Sequence, residues 1–339
     1  MAPTITVVIV ATDRKEYVKE ALKSALNQNV RSADYEIILI KNYLDDELDS
    51  ELLELSCVIV PTIITSKSKL LGHKVVEAVH QSKGSIICFL DDDDIWETDK
   101  LKVVLESFRK YDDLVYFHNN QSFIKSDGSA KRHFMLSART KFHSPANWRS
   151  KERMKDFLIN KADFNGSSIS ILRNVILNYE TVLSSINSPV DTYLFYMALE
   201  SGGDILTDNR CLTRYRVGST SLSLSGALSP REFFENRYRY HKSQVKSFEM
   251  LTKTILTDSD IIGITMASIQ KLNHNIMTAV YGHVVNRLEM LGYLMSWLRN
   301  SFRYHLLYEP TIFALGAIHL VSSRLSAIIA YRLNSFRWG

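Results

Sequence analysis

Residues 84–96 read Gly-Ser-Ile-Ile-Cys-Phe-Leu-Asp-Asp-Asp-Asp-Ile-Trp, and few folds accommodate that order. Ile86 to Leu90 is a continuous apolar run after a glycine, the pattern of a strand buried on both faces of a parallel sheet. Asp91 to Asp94 then stand where that strand leaves the sheet, and open parallel sheets bind ligands at the carboxyl ends of their strands. Four adjacent carboxylates repel one another unless something positive sits among them. A divalent cation, Mg²⁺ or Mn²⁺, fits best, because these hard ions are shared between one or two carboxylates and a substrate's phosphates. The plain alternative is a helix cap. Asp94 with Glu97 resembles a capping box before an amphipathic helix with Leu101, Val104, Leu105 and Phe108 on its apolar side. That accounts for Asp94 and leaves Asp91, Asp92 and Asp93 unexplained.

The flanking segments repeat a strand–helix alternation. Thr4 to Ala11 reads as a buried first strand, and Thr12-Asp13-Arg14 leads into a helix carrying Val18, Ala21, Leu22, Ala25 and Leu26. Tyr35 to Ile40 reads as the second strand, ending at Lys41-Asn42, and Cys57 to Val60 as the third, ending at Pro61. A helix over about Leu70 to Gln81 returns to the Ile86 strand. This alternation implies an α/β fold, a mainly parallel Rossmann-like sheet with helices on both faces.

Leu114 to His118 reads as a further strand, and Ser126-Asp127-Gly128 as a turn closing a hairpin with Gln121 to Lys125. Residues 135–149 are polar, basic and without period, a loop able to order over a ligand. Phe164-Asn165-Gly166-Ser167-Ser168 precedes the apolar run Ile169 to Leu172. A helix near 174–185 follows, and Ser188-Pro189-Val190-Asp191 opens an amphipathic helix through Leu199. Arg210 to Arg216 reads as a strand and Val217 to Ser225 as a serine-rich loop.

Beyond Pro230 the spacing is helical throughout, which divides the chain into a catalytic region, 1–229, and a helical extension, 230–339. The chain of 339 residues has room for both, and its 45% hydrophobic and 23% charged content is that of an ordinary globular protein. Cys57, Cys88 and Cys211 are odd in number and far apart, which suits buried thiols in a reducing compartment rather than a disulfide framework or zinc site. The apolar run Ile5 to Ala11 is too short and too poorly flanked for a signal peptide, so a cytoplasmic location is expected. Residues 231–339 carry 13 Lys and Arg against 7 Asp and Glu, whereas residues 1–230 carry 28 against 30. An acidic front argues against nucleic acid across the site. A basic, aromatic rear with Trp297, Arg299, Arg303, Arg337 and Trp338 suits an anionic membrane surface, a peripheral position on the cytoplasmic face. The apolar stretch Pro310 to Ser323 falls short of the roughly 20 residues that span a bilayer. Packing against the catalytic region or a second copy, as a homo-oligomer, is the competing use of these helices.

Taken in order, these pieces resemble the GT-A fold, family 2 type glycosyltransferases, which use a nucleotide-activated sugar. The resemblance covers about residues 4–225. It rests on Val-Ile-Val-Ala-Thr-Asp-Arg at 8–14, Glu-Ile-Ile-Leu-Ile at 36–40, the segment 83–96 with Lys100-Leu101, Asn165-Gly166-Ser167-Ser168, Val190-Asp191, and Tyr215-Arg216 with Ser219 and Ser221. It implies an inverting transferase with Thr12 and Arg14 at the nucleotide, Asn42 near the base and Asp91 and Asp92 beside the nucleotide. Asp93, with Asp91, would hold the metal, and Asp191 would be the general base. The implied donor is a UDP-, GDP- or dTDP-sugar, and the acceptor a glycan or polyprenyl lipid.

Three positions depart from the family pattern. Lys41-Asn42 stands where two acids are common. Leu71-Gly72-His73-Lys74 replaces an Arg-Asn, and Lys74 reads as a solvated helix lysine more readily than as a phosphate contact. Val190 stands where an acid often precedes the base. Asp191 after Pro189 also has a plain reading, as a carboxylate in a helix's first turn.

Three other readings compete. A haloacid dehalogenase type phosphatase wants its Asp-x-Asp on the first strand, and a sugar nucleotidyltransferase wants a Gly-rich basic loop after it. A non-catalytic sugar-nucleotide-binding or membrane scaffold protein of the same fold is the third.

Overall fold

The computed structural model describes residues 4–12, 15–55, 58–131, 142–144, 151–217, 229–257, 261–282 and 286–338. Two compact units divide the chain, one of residues 1–148 and 160–216, the other of 149–159 and 217–339.

The first unit opens with β1 (Ile5–Val10), α1 (Lys15–Leu26), β2 (Tyr35–Lys41), α2 (Asp46–Leu53), β3 (Thr62–Thr65), α3 (Leu71–Gln81), β4 (Ile86–Asp91), β5 (Ile95–Trp96) and α4 (Lys100–Lys110). It continues with β6 (Leu114–Ile124), β7 (Ala130–Lys131) and β8 (Phe142–Ser144). The helix α5 (Lys151–Asn160) falls almost wholly in the second unit. Back in the first come β9 (Ile169–Leu172), α6 (Arg173–Asn178), α7 (Glu180–Ser184), α8 (Val190–Glu200) and β10 (Asp204–Arg216).

The sheet runs β3-β2-β1-β4-β9-β6-β10-β5, with β7 on β6 and β8 on β10. The strands from β3 to β4 are parallel, as the alternation predicts. All six residues of β1 are buried, and burying a Val or Ile side chain stabilises by about 1.5–3 kcal/mol, so β1 and β4 anchor the core. Gly84 lets the chain enter β4 flush against β1, since a Cβ there would lie 2.5 Å from the carbonyl carbon of Ile5.

The far half of the sheet is mixed. β9 pairs antiparallel to both β4 and β6, while β6 and β10 are parallel to each other. Antiparallel insertion has a positional consequence. The start of β9 lies at the same edge as the ends of β4, β6 and β10, so four chain segments converge there.

Several local expectations change. The third strand is β3, beyond Pro61, and not the stretch up to Val60. Val58 and Val60 are 77% and 61% exposed, and Cys57 lies outside the described residues. Leu114 to Ile124 is one long strand, and the turn at Ser126-Asp127-Gly128 pairs its end with β7; Gly128 supplies the positive φ. The helix near 174–185 is two short ones. α8 is buried on nearly every face rather than amphipathic, because Tyr193 to Leu199 contains no charged side chain to turn outward. Cys211 is exposed rather than buried. The 135–149 loop, apart from β8, and the serine-rich loop after Val217 lie outside the described residues.

The second unit contains α9 (Pro230–Thr254), α10 (Ile261–Gly282), α11 (Arg287–Tyr304), α12 (Pro310–Val321) and α13 (Ser323–Trp338). Ser229 and Glu232 form a reciprocal capping box and Pro230 occupies the first turn, which fixes where α9 begins. Ile276, Val280, Met290, Leu294, Trp297, Leu315 and Ala330 belong to its core. Trp297 is therefore a core residue and not a surface anchor, with its ring 4.8 Å from that of Phe313. Among the described residues no helix is long and apolar enough to cross a membrane.

Candidate active site

The four aspartates divide into two kinds. Asp92 and Asp94 are fully buried, Asp93 is 7% exposed, and Asp91 is half-buried. Asp92 Oδ2 accepts from the backbone N–H of Thr12 at 2.6 Å and its hydroxyl at 3.2 Å, which ties the end of β1 to the end of β4. Asp94 Oδ1 accepts the backbone N–H of Arg216 at 2.8 Å, and its Oδ2 the Asn165 amide at 3.0 Å. Burial pushes the Asp94 carboxyl up to about 7, with the neighbouring Asp93 adding to the effect. Asp92, expected beside the nucleotide, is fully buried and braces Thr12 from inside. Asp91 is thus the most accessible of the four, and Asp93 the next.

Arg216 closes the far side of this loop. It is 3% exposed, and its Nε donates to the Asp93 carbonyl at 2.7 Å. Nη1 donates to the carbonyls of Lys125 and Ser126, Nη2 to Glu20 at 2.5 Å, and the guanidinium lies over the Tyr17 ring. A planar fork of five donors suits four acceptors in different directions, which a lysine could not serve.

The start of β9 supplies the floor. Ser167 Oγ accepts from the Asp91 backbone N–H at 2.9 Å, and the Ser167 carbonyl accepts from Trp96 Nε1 and Thr213 Oγ1. Gln121 Nε2 donates to Ser168 Oγ at 2.7 Å. Lys100 donates to Asn119 Oδ1 and to the Ser168 carbonyl. It is fully buried over the rings of Trp96 and Phe117, and burial pushes its ammonium down to about 7. Gly166 faces Asp91, with an added Cβ there lying 3.5 Å from Asp91 Oδ1.

Asn165 is the joint between the acidic loop and α8. Its side chain donates to Asp94, and its backbone N–H donates to Asp191 Oδ2 at 3.1 Å. It does so at a φ of +70°, a conformation that non-glycine residues rarely adopt. Asp191 Oδ1 accepts the Thr192 N–H at 2.9 Å, so the carboxylate is fixed at the first turn of α8. Burial, with Asp163 nearby, pushes Asp191 up to about 6. A carboxylate held near 6 is ionised at neutral pH yet basic enough to take a proton, the range in which general bases work.

Asn42 follows β2 and Lys74 lies on α3. Lys74 is 1% exposed rather than solvated; its Nζ donates to the Ala11 carbonyl at 3.2 Å and to Asn42 Oδ1 at 3.4 Å. Lys41 is likewise buried, paired with Asp49 at 2.9 Å. Arg14 lies outside the described residues. Asn165, Arg216 and Ser167 were not among the sequence candidates. The signal for the first was an Asn before Gly at a strand start, which also marks an ordinary turn.

A family model described as Glycosyl transferase family 2 matches residues 6–179. TuaG of Bacillus subtilis, assigned to teichuronic acid biosynthesis as a glycosyltransferase, is 20% identical over 223 residues, or 65% of this chain and 82% of its own. The fold is similar to residues 1–349 of S. aureus TarS in complex with UDP-GlcNAc, at a TM-score of 0.57 and 14% identity, over 98% of this chain and 90% of that one. It is also similar to the mannosyltransferase PcManGT of Pyrobaculum calidifontis in complex with GDP-Man and Mn²⁺. That likeness has a TM-score of 0.56 at 13% identity, over 97% of this chain and 88% of the other.

The joint at Asn165 yields a prediction. Asn165→Gly keeps the positive φ but leaves buried Asp94 short of a donor, and should cost about 1–3 kcal/mol. Asn165→Ala should cost about 1 kcal/mol more, from the strained φ. Urea denaturation midpoints check both; equal stabilities for the two variants would remove the conformational part.

Proposed function

This chain belongs to glycosyl transferase family 2, and from that premise we propose an inverting transferase that moves a sugar from a nucleotide-sugar to a hydroxyl of a glycan or a polyprenyl lipid. The observation that carries this reading is Asn165 holding two carboxylate groups on either side of itself, an acidic loop and a single basic carboxylate. The enzyme assignment goes with the family. Donor, acceptor, stereochemistry and metal are the reading's own.

The donor's diphosphate would lie against the β4 end. Asp91 and Asp93 fit a hard divalent cation there, Mg²⁺ or Mn²⁺, since both offer only oxygen. Among the described residues no group of three or more His, Cys, Asp or Glu is arranged to hold a metal. Two carboxylates with the donor's own phosphates and water would complete the shell, the usual arrangement for Mg²⁺. The PcManGT complex, with its nucleotide-sugar and Mn²⁺, supports that partnership. Such a cation would neutralise charge on the departing nucleoside diphosphate.

The chain's own groups do the rest. Asp191 takes the proton from the acceptor hydroxyl as it attacks the anomeric carbon, and Asn165 keeps the carboxylate pointed. The bond from the acceptor oxygen to that carbon forms as the bond to the diphosphate breaks, on the opposite side, which inverts the centre. Thr12, braced by Asp92, shapes the nucleotide side.

The nucleoside would extend from the β4 end across β1 to β2, where Asn42 stands. Lys74 Nζ can only donate, so the Asn42 atom facing it is an acceptor oxygen, and the amide N–H₂ is left for the ligand. That orientation favours a keto oxygen at the base edge, as in uracil, thymine or guanine, over the amino group of cytosine or adenine. UDP, dTDP and GDP should bind about threefold to tenfold tighter than CDP and ADP. Thermal shifts with Mn²⁺ present check this ranking, and equal shifts would take Asn42 out of base recognition. The expected location is the cytoplasm, at the inner face of the membrane.

The reading is tested by sugar transfer, or slow hydrolysis, from UDP-, GDP- or dTDP-sugars. At saturating donor the rate should be level above about pH 7 and fall tenfold per unit below about pH 6, since Asp191 must be ionised to act. An ordinary carboxylate would place that fall near 4. Asp191→Asn should lower transfer by a factor on the order of 10² to 10⁴. A variant with wild-type rate would leave Asp191 as a helix-terminus residue.

A further inference from the structure

The helix α11 carries a surface that the transferase reading does not use. Leu288, Leu291, Met295 and Phe302 are 75%, 48%, 59% and 76% exposed. At 3.6 residues per turn they fall within about 60° of one another, a single stripe along the helix. Met290, Leu294 and Trp297, on the other side, are buried in the core of the unit. One face therefore holds the helix to its neighbours, while the other presents large apolar side chains to solvent. Scattered exposed apolar residues are ordinary; an aligned set of four on one helix is the mark of a docking surface.

Charge decides what docks. Arg299 and Arg303 border the stripe on one side and Arg287 on the other, and all three are exposed. The only acid in α11 is Glu289, which lies off the stripe and accepts the Tyr293 hydroxyl at 2.5 Å. The pattern continues in the next helices of the same unit. Val321, Leu325 and Ile328 are 83%, 49% and 43% exposed, beside exposed Arg324 and Arg332. Residues 310–339 contain no Asp or Glu. A two-fold contact between copies would set these arginines against each other. An anionic bilayer surface supplies the opposite charge together with an apolar layer beneath it.

We infer that α11 lies in the plane of an anionic lipid surface, with the Leu288–Phe302 stripe in the acyl boundary and its arginines at the phosphates. Its 18 residues give about 27 Å of helix, enough for an interfacial element and not a span. This rests on the reading above only in naming the surface by which such an enzyme reaches a lipid-linked acceptor.

The test is flotation of the full chain with vesicles of phosphatidylcholine and phosphatidylglycerol in equal parts, against phosphatidylcholine alone. Wild type should float with the anionic vesicles and much less with the neutral ones. Met295→Glu with Phe302→Glu should lower the partition on the order of tenfold or more. Arg299→Gln with Arg303→Gln should lower it about thirtyfold, roughly fivefold for each charge, and added salt should shrink the difference. All four positions are exposed, so both variants should keep the wild-type urea midpoint and the thermal shift with a sugar nucleotide. A wild type that does not float, or variants that float equally well, overturns the inference. So does a wild-type dimer in light scattering that Met295→Glu with Phe302→Glu dissociates, since the stripe would then be a contact between copies. Flotation as expected with no sugar-nucleotide shift in any variant would strike the donor reading and leave this surface standing.

Discussion

The site depends on one residue placed between two carboxylates. Asn165 gives its side-chain N–H to Asp94 and its backbone N–H to Asp191, so the acidic loop and the first turn of α8 cannot move independently. Both acceptors are held in surroundings that raise their proton affinity. A buried carboxylate without a donor is costly, and this gives the joint its rigidity. The positive φ at Asn165 is the local strain that the arrangement carries, and the surrounding bonds from Ser167 and Ser168 to Trp96, Thr213, Gln121 and Lys100 hold it in place.

Sheet topology makes that joint available. A purely parallel sheet brings only strand ends to its carboxyl edge. The antiparallel β9 brings a strand start there, and with it a turn whose Asn165 side-chain amide and Ser167 hydroxyl meet the acidic loop. β10, parallel to β6, ends at the same edge and delivers Arg216 to the Asp93 carbonyl. Charge is thus managed in two layers. Asp92 and Asp94 are fully buried and hydrogen-bonded by Thr12, Arg216 and Asn165, while Asp91 is the most accessible of the four.

Much of this was legible in the residues. The apolar runs at Ile5–Val10, Tyr35–Lys41 and Ile86–Asp91 are continuous because both faces of those strands are covered, and they appeared where the pattern placed them. The Val58–Val60 stretch failed because apolar content alone does not show whether an edge is paired. Pro61 shifted the strand to its far side. Antiparallel pairing of β9 could not be read, since four apolar residues look alike in either direction. Lys74 read as a solvated helix lysine because helical position says nothing of a long side chain reaching under the sheet to the Ala11 carbonyl. Trp297 misled in the same way: an aromatic beside arginines suits a membrane edge or a helix core, and the core took it. The exposed stripe of α11 uses the residues in between.

In the proposed function the two carboxylate groups act separately, one toward the donor and one toward the acceptor. Calorimetric titration of UDP with and without Mn²⁺ into wild type, Asp93→Ala and Asp191→Asn tests it most directly. Wild type should bind in a Mn²⁺-dependent way, Asp191→Asn with the same affinity within about a factor of two, and Asp93→Ala with the Mn²⁺ dependence lost. Equal losses in both variants, or none in Asp93→Ala, would contradict it.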